Sequence, residues 1–281
     1  DVHSRSPRPA FTFAPPISPI PVIGARQAPH LAGMGLLEAV PVNMLAEWND
    51  PDDSDGDGIS GRLAVLETGA IGRFGWKAVH PTLRTQTASA FAADMGITSV
   101  EQPADDCTEK QPTCVDNASS STDEVSSDGL DAVASFMRHL GVPRARYTLD
   151  DAAVQKGFDI FINIQCAACH RPALQTANGD LAVSNIQFSP YTDLLLHDMG
   201  DGLSESLPEG DAAPNEWRTP PLWGLGLVAS SKHARFLHDG RAKTLADAIE
   251  WHGGEAENSR AAFLALSTED RSVLLTFLQS L

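Results

Sequence analysis

The sequence predicts a mostly α protein with long loops. Three observations carry that expectation. Apolar residues recur at helical spacing in several segments, period-2 alternation is scarce, and 22 Gly and 19 Pro accompany only 6% aromatic residues. With 281 residues, 42% of them hydrophobic, the chain can bury a real core as one large domain or two of ordinary size, which excludes general disorder. Lys and Arg number 20 against 37 Asp and Glu, a formal charge of −17. Nucleic acid and anionic membrane surfaces would repel such a chain, so a partner of opposite, cationic sign is expected. No apolar run approaches the length of a membrane span.

Residues 1–29 hold seven prolines and no helical period, which reads as an extended arm or linker. The chain starts at Asp1 without Met and shows no signal peptide, so it is expected to be a mature secreted form or a fragment. Residues 30–48 are apolar and interrupted by Pro41, predicting two short helices, Leu31–Val40 and Val42–Trp48. Over 81–95 a helix is predicted with Leu83, Ala90, Phe91 and Met95 on its apolar face. Residues 101–129 are rich in Ser, Asp and Thr and are expected as a surface loop, with Cys107 and Cys114 as a candidate staple. A helix follows over 130–140, with Leu130, Val133, Ala134, Met137 and Leu140 on one face, and Gly141-Val142-Pro143 ends it. Another helix starts near Asp150, after a linker to about Thr148. Residues 171–243 read as long, nearly strand-free loops. Thr244/Asp247 and Ser267/Asp270 then open two capped helices, the second running to Leu281.

The helix from Asp150 leads directly into Cys166-Ala167-Ala168-Cys169-His170. Cys-x-x-Cys-His is the attachment signature of c-type haem. Two thiols one turn apart can each bond a vinyl group of one porphyrin, and the adjacent His170 then lies under the iron as an axial ligand. Val154, Phe158, Phe161 and Ile162 on the preceding helix are expected to pack on the macrocycle. Two other readings stand beside this one. A thioredoxin-like redox pair would need a βαβ setting, and half of a zinc site would need a second pair of ligands. Haem c implies export, and a Cys107–Cys114 disulfide fits a periplasmic or secreted location.

Haem iron takes a sixth ligand or leaves that position open. Downstream candidates are His197, Met199, His233, His238 and His252. Leu245, Ala248, Ile249 and His252 fall at i, i+3, i+4 and i+7, so His252 lies on the apolar face of its helix. It is read either as the distal ligand or as a core histidine bonded to a carbonyl. Met199 is the rival ligand, and His238 is expected to make a supporting hydrogen bond.

The segments CAACH, YTDLLLHDMG, EWRTPPLWGLG and LHDGRAKTLADAIEWHGGEA, with DPDDSDGDGISGR, GRFGWKA and DMGITS, resemble the di-haem oxidoreductase family of peroxidases, also called thiol oxidoreductases. The resemblance covers about residues 20–281 and extends distantly to bacterial di-haem cytochrome c peroxidases. It implies a cytochrome c-like haem domain over 148–281. It also implies that 30–147, which carries the acidic loop, is the remainder of an incomplete second cytochrome-like domain. In those relatives the helix corresponding to 245–252 carries the distal ligand of the C-terminal haem, here His252. A second segment lines a peroxide-reactive N-terminal haem, and Phe74-Gly75-Trp76-Lys77-Ala78 resembles it. By that likeness Gln86 and Asp94 stand near the catalytic positions, although their spacing differs; a solvated helix carboxylate is the other reading of Asp94. Family members carry two Cys-x-x-Cys-His motifs and this sequence has one, so the second haem is expected to belong to a longer protein, its motif upstream of Asp1.

Asp53-Ser54-Asp55-Gly56-Asp57-Gly58 opens like a calcium loop, with carboxylates at alternate positions. The twelfth position is Ala64 rather than an acid, so Glu67 would have to substitute; a solvated acidic turn is the other reading. Arg218, in Trp217–Trp223, and Arg241 are candidate partners of the haem propionates, or else surface arginines on packed loops. Nucleotide-binding and serine-hydrolase motifs are absent from the sequence. Three functions stay open at this level. One is a peroxidase-like oxidoreductase whose C-terminal haem relays electrons from a redox partner protein to a haem that reduces hydrogen peroxide. The others are an electron-transfer module without its own chemistry and a haem-based structural or sensing partner.

Overall fold

Pro41 divides the first helical segment as its missing N–H requires. Helix α1 (Met34–Glu38) starts from Gly33 at φ 74°, and α2 (Val42–Ala46) starts from Pro41 in extended conformation. Both are shorter than the apolar run suggests. The computed structural model describes residues 10, 23–105, 107, 111–117, 123–146, 151–179 and 182–281. Most of the expected arm, the middle of the 101–129 loop and the expected boundary near 147/148 lie outside the described residues.

Helix α3 (Leu83–Met95) is closed by a reciprocal Thr82/Thr85 capping box and ends at Gly96, φ 66°. Its buried face is Leu83, Thr87, Ala88 and Ala92, and Met95 is exposed, which corrects the expected face. Thr87 is tolerated inside because its hydroxyl donates to the Leu83 carbonyl at 2.7 Å. The expected surface loop contains a short helix, α4 (Pro112–Asn117), and the Cys107–Cys114 disulfide is formed. Helix α5 (Ser127–Arg138), capped by Ser126, starts earlier than its apolar pattern and buries Leu130, Ala134 and Met137. Asp151 caps α6 (Ala152–Asn163) by accepting from Ala153 and Val154.

The 171–243 region is less bare than its composition suggests. Strands β1 (Leu174–Gln175) and β2 (Gln187–Phe188) form one antiparallel ribbon, and β3 (Leu196–Asp198) and β4 (Glu216–Arg218) form another. Helix α7 (Leu225–Ala229) follows. Thr244 caps α8 (Leu245–Glu250), and Ser267 caps α10 (Thr268–Ser280), as their sequences predict. Between them lies α9 (Glu257–Ala265), which the sequence reading missed because its hydrophobic pattern is weak. The mostly α expectation holds, and among the described residues no helix is long and apolar enough to cross a membrane.

Two cores result. One joins Leu37, Leu45, Phe74, Leu83 and Met137 to Leu174, Leu194 and Trp223, so the earlier part of the chain packs directly on the later part. The other joins Val154 and Phe161 of α6 to Phe236, Leu245, Phe263, Leu274 and Phe277. Helix α6 lies against α10 at Gly157, where an added Cβ would sit 2.5 Å from both the Phe277 Cβ and the Val273 carbonyl oxygen. A Gly157→Ala change should therefore lower stability by about 1–3 kcal/mol through overpacking, outweighing a helix-propensity gain of about 1 kcal/mol. Urea unfolding of the two proteins measures the sign directly.

Candidate functional site

Helix α6 stops at Ile164, and Gln165 turns the chain with φ 65° into a single 3₁₀ turn, Cys166–Ala168. This turn projects Cys166, Cys169 and His170 into a cavity of about 390 Å³. The far wall brings Leu245, Ala248, Ile249 and His252 to the same space, with Phe161, Leu222, Phe236 and Leu274 supplying apolar surface.

The two histidines are held in the same manner. His170 Nδ1 donates to the Tyr191 carbonyl at 2.9 Å, and His252 Nδ1 donates to the Ala248 carbonyl at 2.8 Å. A carbonyl only accepts, so each Nδ1 carries the hydrogen and each Nε2 keeps its lone pair. Burial pushes the His170 pKa down to about 4 and lowers that of His252, so both rings are neutral near pH 7. A neutral imidazole with its N–H fixed by a carbonyl is the form that ligates a metal.

The cysteines lack the electropositive surroundings of a redox pair. Burial and the neighbouring Cys169 push the Cys166 thiol up to about 12, and burial also raises Cys169. Redox Cys-x-x-Cys motifs lower a thiol pKa instead. The zinc alternative fares no better. Cys169, Asp193 and His197 have ligand atoms close enough to share an ion, but both nitrogens of His197 already face carboxylates. That double engagement also removes His197 from the candidate distal ligands.

The sequence singles out His238 and the Trp217–Trp223 segment, both of which reach the cavity, but not the contacts that tie them to Trp76 and Lys77. Trp217 stacks on His238 at 3.7 Å with an interplanar angle of 10°, and Trp76 meets both edge-on. The Lys77 ammonium lies 3.7 Å from the Trp217 ring centre and donates to the carbonyls of Ala213, Pro214 and Glu216. Residues 27–30, expected as arm and helix start, also line the cavity, with Gln27 bonded through its backbone to His238 and Trp76. Proline-rich composition gave no sign of that docking.

A family model described as "Di-haem oxidoreductase, putative peroxidase" matches residues 21–281. The chain belongs to the di-haem oxidoreductase family. Haem is thus its cofactor, and the protein is a haem-dependent oxidoreductase. No match was found among curated proteins. Among solved structures the chain is similar to Kuenenia stuttgartiensis hydrazine synthase pressurised with xenon, at 18% identity over 98% of this chain and 99% of that chain, with a TM-score of 0.37.

The residues of this di-haem oxidoreductase fit a haem, since an apolar cavity presents two neutral imidazoles with open Nε2 atoms and two protonated thiols. The other candidates are placed variously. Met199 lines the cavity as well. Arg218 lines it, but its guanidinium is buried and donates to the Gly75 and Thr219 carbonyls. Arg241 lies outside the lining, paired with Asp239 at 2.7 Å and stacked on Trp251. Arg235 and Arg260 line the cavity instead, and neither was singled out from sequence. Asp94 is exposed near the end of α3 and Gln86 is half-buried beside Gly75, both outside the cavity lining. Trp76, whose segment resembles one lining the other haem, stands at the wall of the cavity that holds His170. Asp53, Asp55 and Asp57 bring ligand oxygens within 4.8 Å of one another, while Glu67 sits in the separate Leu66–Gly69 turn.

The depressed histidine pKa values set the acid response of the haem-free chain. A lowered folded pKa gives stability that is present above the unfolded pKa, about 6.5, and is lost as pH falls towards the folded value. His170 alone should cost about 2 kcal/mol between pH 6.5 and 5, with His252 acting in the same direction. The lowered carboxylates, such as Glu255, lose their contribution only below their unfolded values, about 4.5. Urea midpoints should fall with acidity from pH 6.5 to 5, a window in which His197, whose pKa is raised, is protonated in both folded and unfolded chains, and should fall less steeply in His170→Leu.

Proposed function

We propose that this protein is a periplasmic or secreted c-type haem oxidoreductase of the peroxidase type. Cys166 and Cys169 form the thioether links, His170 is the proximal ligand and His252 the distal ligand. The observation that carries the reading is the pair of imidazoles, each anchored at Nδ1 and open at Nε2, facing one cavity with two thiols. Bound haem supplies one-electron redox chemistry there. The protein's own residues hold it, fix both axial rings and exclude water with the apolar wall.

With His170 and His252 both holding the iron, no position would be open for peroxide. We therefore assign this site the relay role, taking electrons from a redox partner protein and passing them to a second haem, the one that would reduce hydrogen peroxide. This sequence carries no attachment motif for that second haem. A plain electron-transfer cytochrome shares the same closed site and is the alternative. The division into a C-terminal cytochrome c domain and an incomplete N-terminal one belongs to the same proposal, as do Asp94 and Gln86 at the reactive haem. The Cys107–Cys114 disulfide supports an oxidising compartment, and the acidic surface supports a cationic donor. In this reading Asp53, Asp55 and Asp57 take a calcium ion.

His252→Ala tests the ligand assignment. The oxidised protein should change from a six-coordinate low-spin to a high-spin spectrum. A spectrum unchanged from wild type would remove His252 and promote Met199. Peroxide turnover by a preparation carrying both haems separates the peroxidase from the electron carrier.

A further inference from the structure

His197 lines the cavity without being one of the residues that would hold the haem, and both of its ring nitrogens are engaged. Its Nε2 lies 2.9 Å from Asp193 Oδ2, its Nδ1 lies 2.7 Å from Glu255 Oε2, and Cys169 Sγ is 3.5 Å from Nδ1. In the carboxylate–imidazole–carboxylate array His197 and Asp193 are buried, at 3% and 2% side-chain exposure, and Glu255 is largely covered, at 9%. Two carboxylates can only accept, so both ring nitrogens must carry hydrogen and the ring is an imidazolium. Burial alone would favour the neutral ring, but the Asp193 charge and hydrogen bond hold its pKa well above the usual value.

The two carboxylates belong to different parts of the haem pocket. Asp193 lies in the Tyr191–Leu194 turn, where Tyr191 and Leu194 have φ of 55° and 63°, and the Tyr191 carbonyl holds His170. Such backbone persists only where its surroundings over-determine it. Here the Thr192 hydroxyl donates to Thr219, and Asp193 Oδ1 accepts from the Leu195 N–H. Glu255 lies three residues after His252, in the turn joining α8 to α9. It also accepts from the Asp198 and Ser60 backbone N–H groups and from the Ser60 hydroxyl. Gly61 lets the ring lie against the main chain, since a Cβ there would collide with the imidazole.

We propose that the Asp193–His197–Glu255 array is a positioning clamp that sets the separation of the two axial imidazoles and keeps the distal one on the iron. One cation ties the turn that anchors His170 to the turn that follows His252, against the sulfur that anchors the porphyrin. Removing the cation leaves two largely covered carboxylates facing each other uncompensated, which drives the two turns apart. The inference rests on the haem assignment above. His197 acts through His170 and His252, so it is a positioning residue.

The test uses the haem-loaded protein, with cyanide as the probe. Cyanide must wait for the distal imidazole to leave the ferric iron, so its association rate reports how firmly His252 is held. His197→Gln should bind cyanide about tenfold faster or more, as expected for loss of an outer-shell partner, and should show a new high-spin fraction. Glu255→Gln, which keeps the shape, should move both readouts in the same direction by less, and it decides the matter if the first variant does not fold. Leu130→Ala, in the fully buried face of α5 away from the cavity, should lose stability without changing the cyanide rate. Unchanged rate and spectrum in the His197 and Glu255 variants would overturn the clamp, as would an equal effect in Leu130→Ala. A pyridine haemochrome assay on the same samples separates the two levels of the argument. Wild type without covalent haem would sink the haem reading itself, whereas intact haem with unaltered cyanide binding would sink only the clamp.

Discussion

A neutral imidazole has one hydrogen to give and one lone pair to offer. In this protein the two rings facing the cavity give their hydrogens to main-chain carbonyls, His170 to Tyr191 and His252 to Ala248. That choice fixes the tautomer, turns each Nε2 inward and sets the ring planes before any ligand arrives. The surrounding structure follows from it. Helix α6 must stop at Ile164 to deliver His170, and α8 must end near Glu250 so that His252 can reach back to Ala248. The Tyr191–Leu194 turn must accept two left-handed residues to aim one carbonyl.

Around this neutral pair the charged groups are compensated close at hand. Asp239 neutralises Arg241, backbone carbonyls satisfy Arg218 and Lys77, and His197 sits between Asp193 and Glu255. Buried charge is tolerable only when paired or well solvated by dipoles. The consequence is a cavity whose walls are mostly apolar, in a chain whose overall charge is strongly negative. The same ionic contacts join distant parts of the sequence. Arg62 of the early region pairs with Glu216, and Ser60 bonds Glu255. Cavity and fold are therefore stabilised by shared contacts rather than by separate ones.

Much of this was legible in the sequence where the signal is local. Cys166, Cys169 and His170 declare themselves by adjacency, and Thr244 and Ser267 by capping chemistry; helical spacing from Leu245 singled out His252, although α8 ends at Glu250 and His252 lies just beyond the helix. What escaped depends on contacts between residues far apart in the chain. Nothing near Glu255 marks it as a partner of His197, 58 residues away, and nothing in a proline-rich stretch foretells that Gln27 will bond His238. The face of α3 was misjudged because Thr87 satisfies its own hydroxyl within the helix and so behaves as an interior residue. Arg241 was expected at a propionate because arginine so often serves there; its neighbour Asp239, two positions away, claims it instead.

The most direct measurement of the central claim is the intact mass of the chain purified from an exporting, haem-attaching host and then denatured. Every molecule should retain one haem in denaturant, and proteolysis should leave it on the peptide containing Cys166 and Cys169. A chain of unmodified mass, with those two cysteines free or joined to each other, would contradict it.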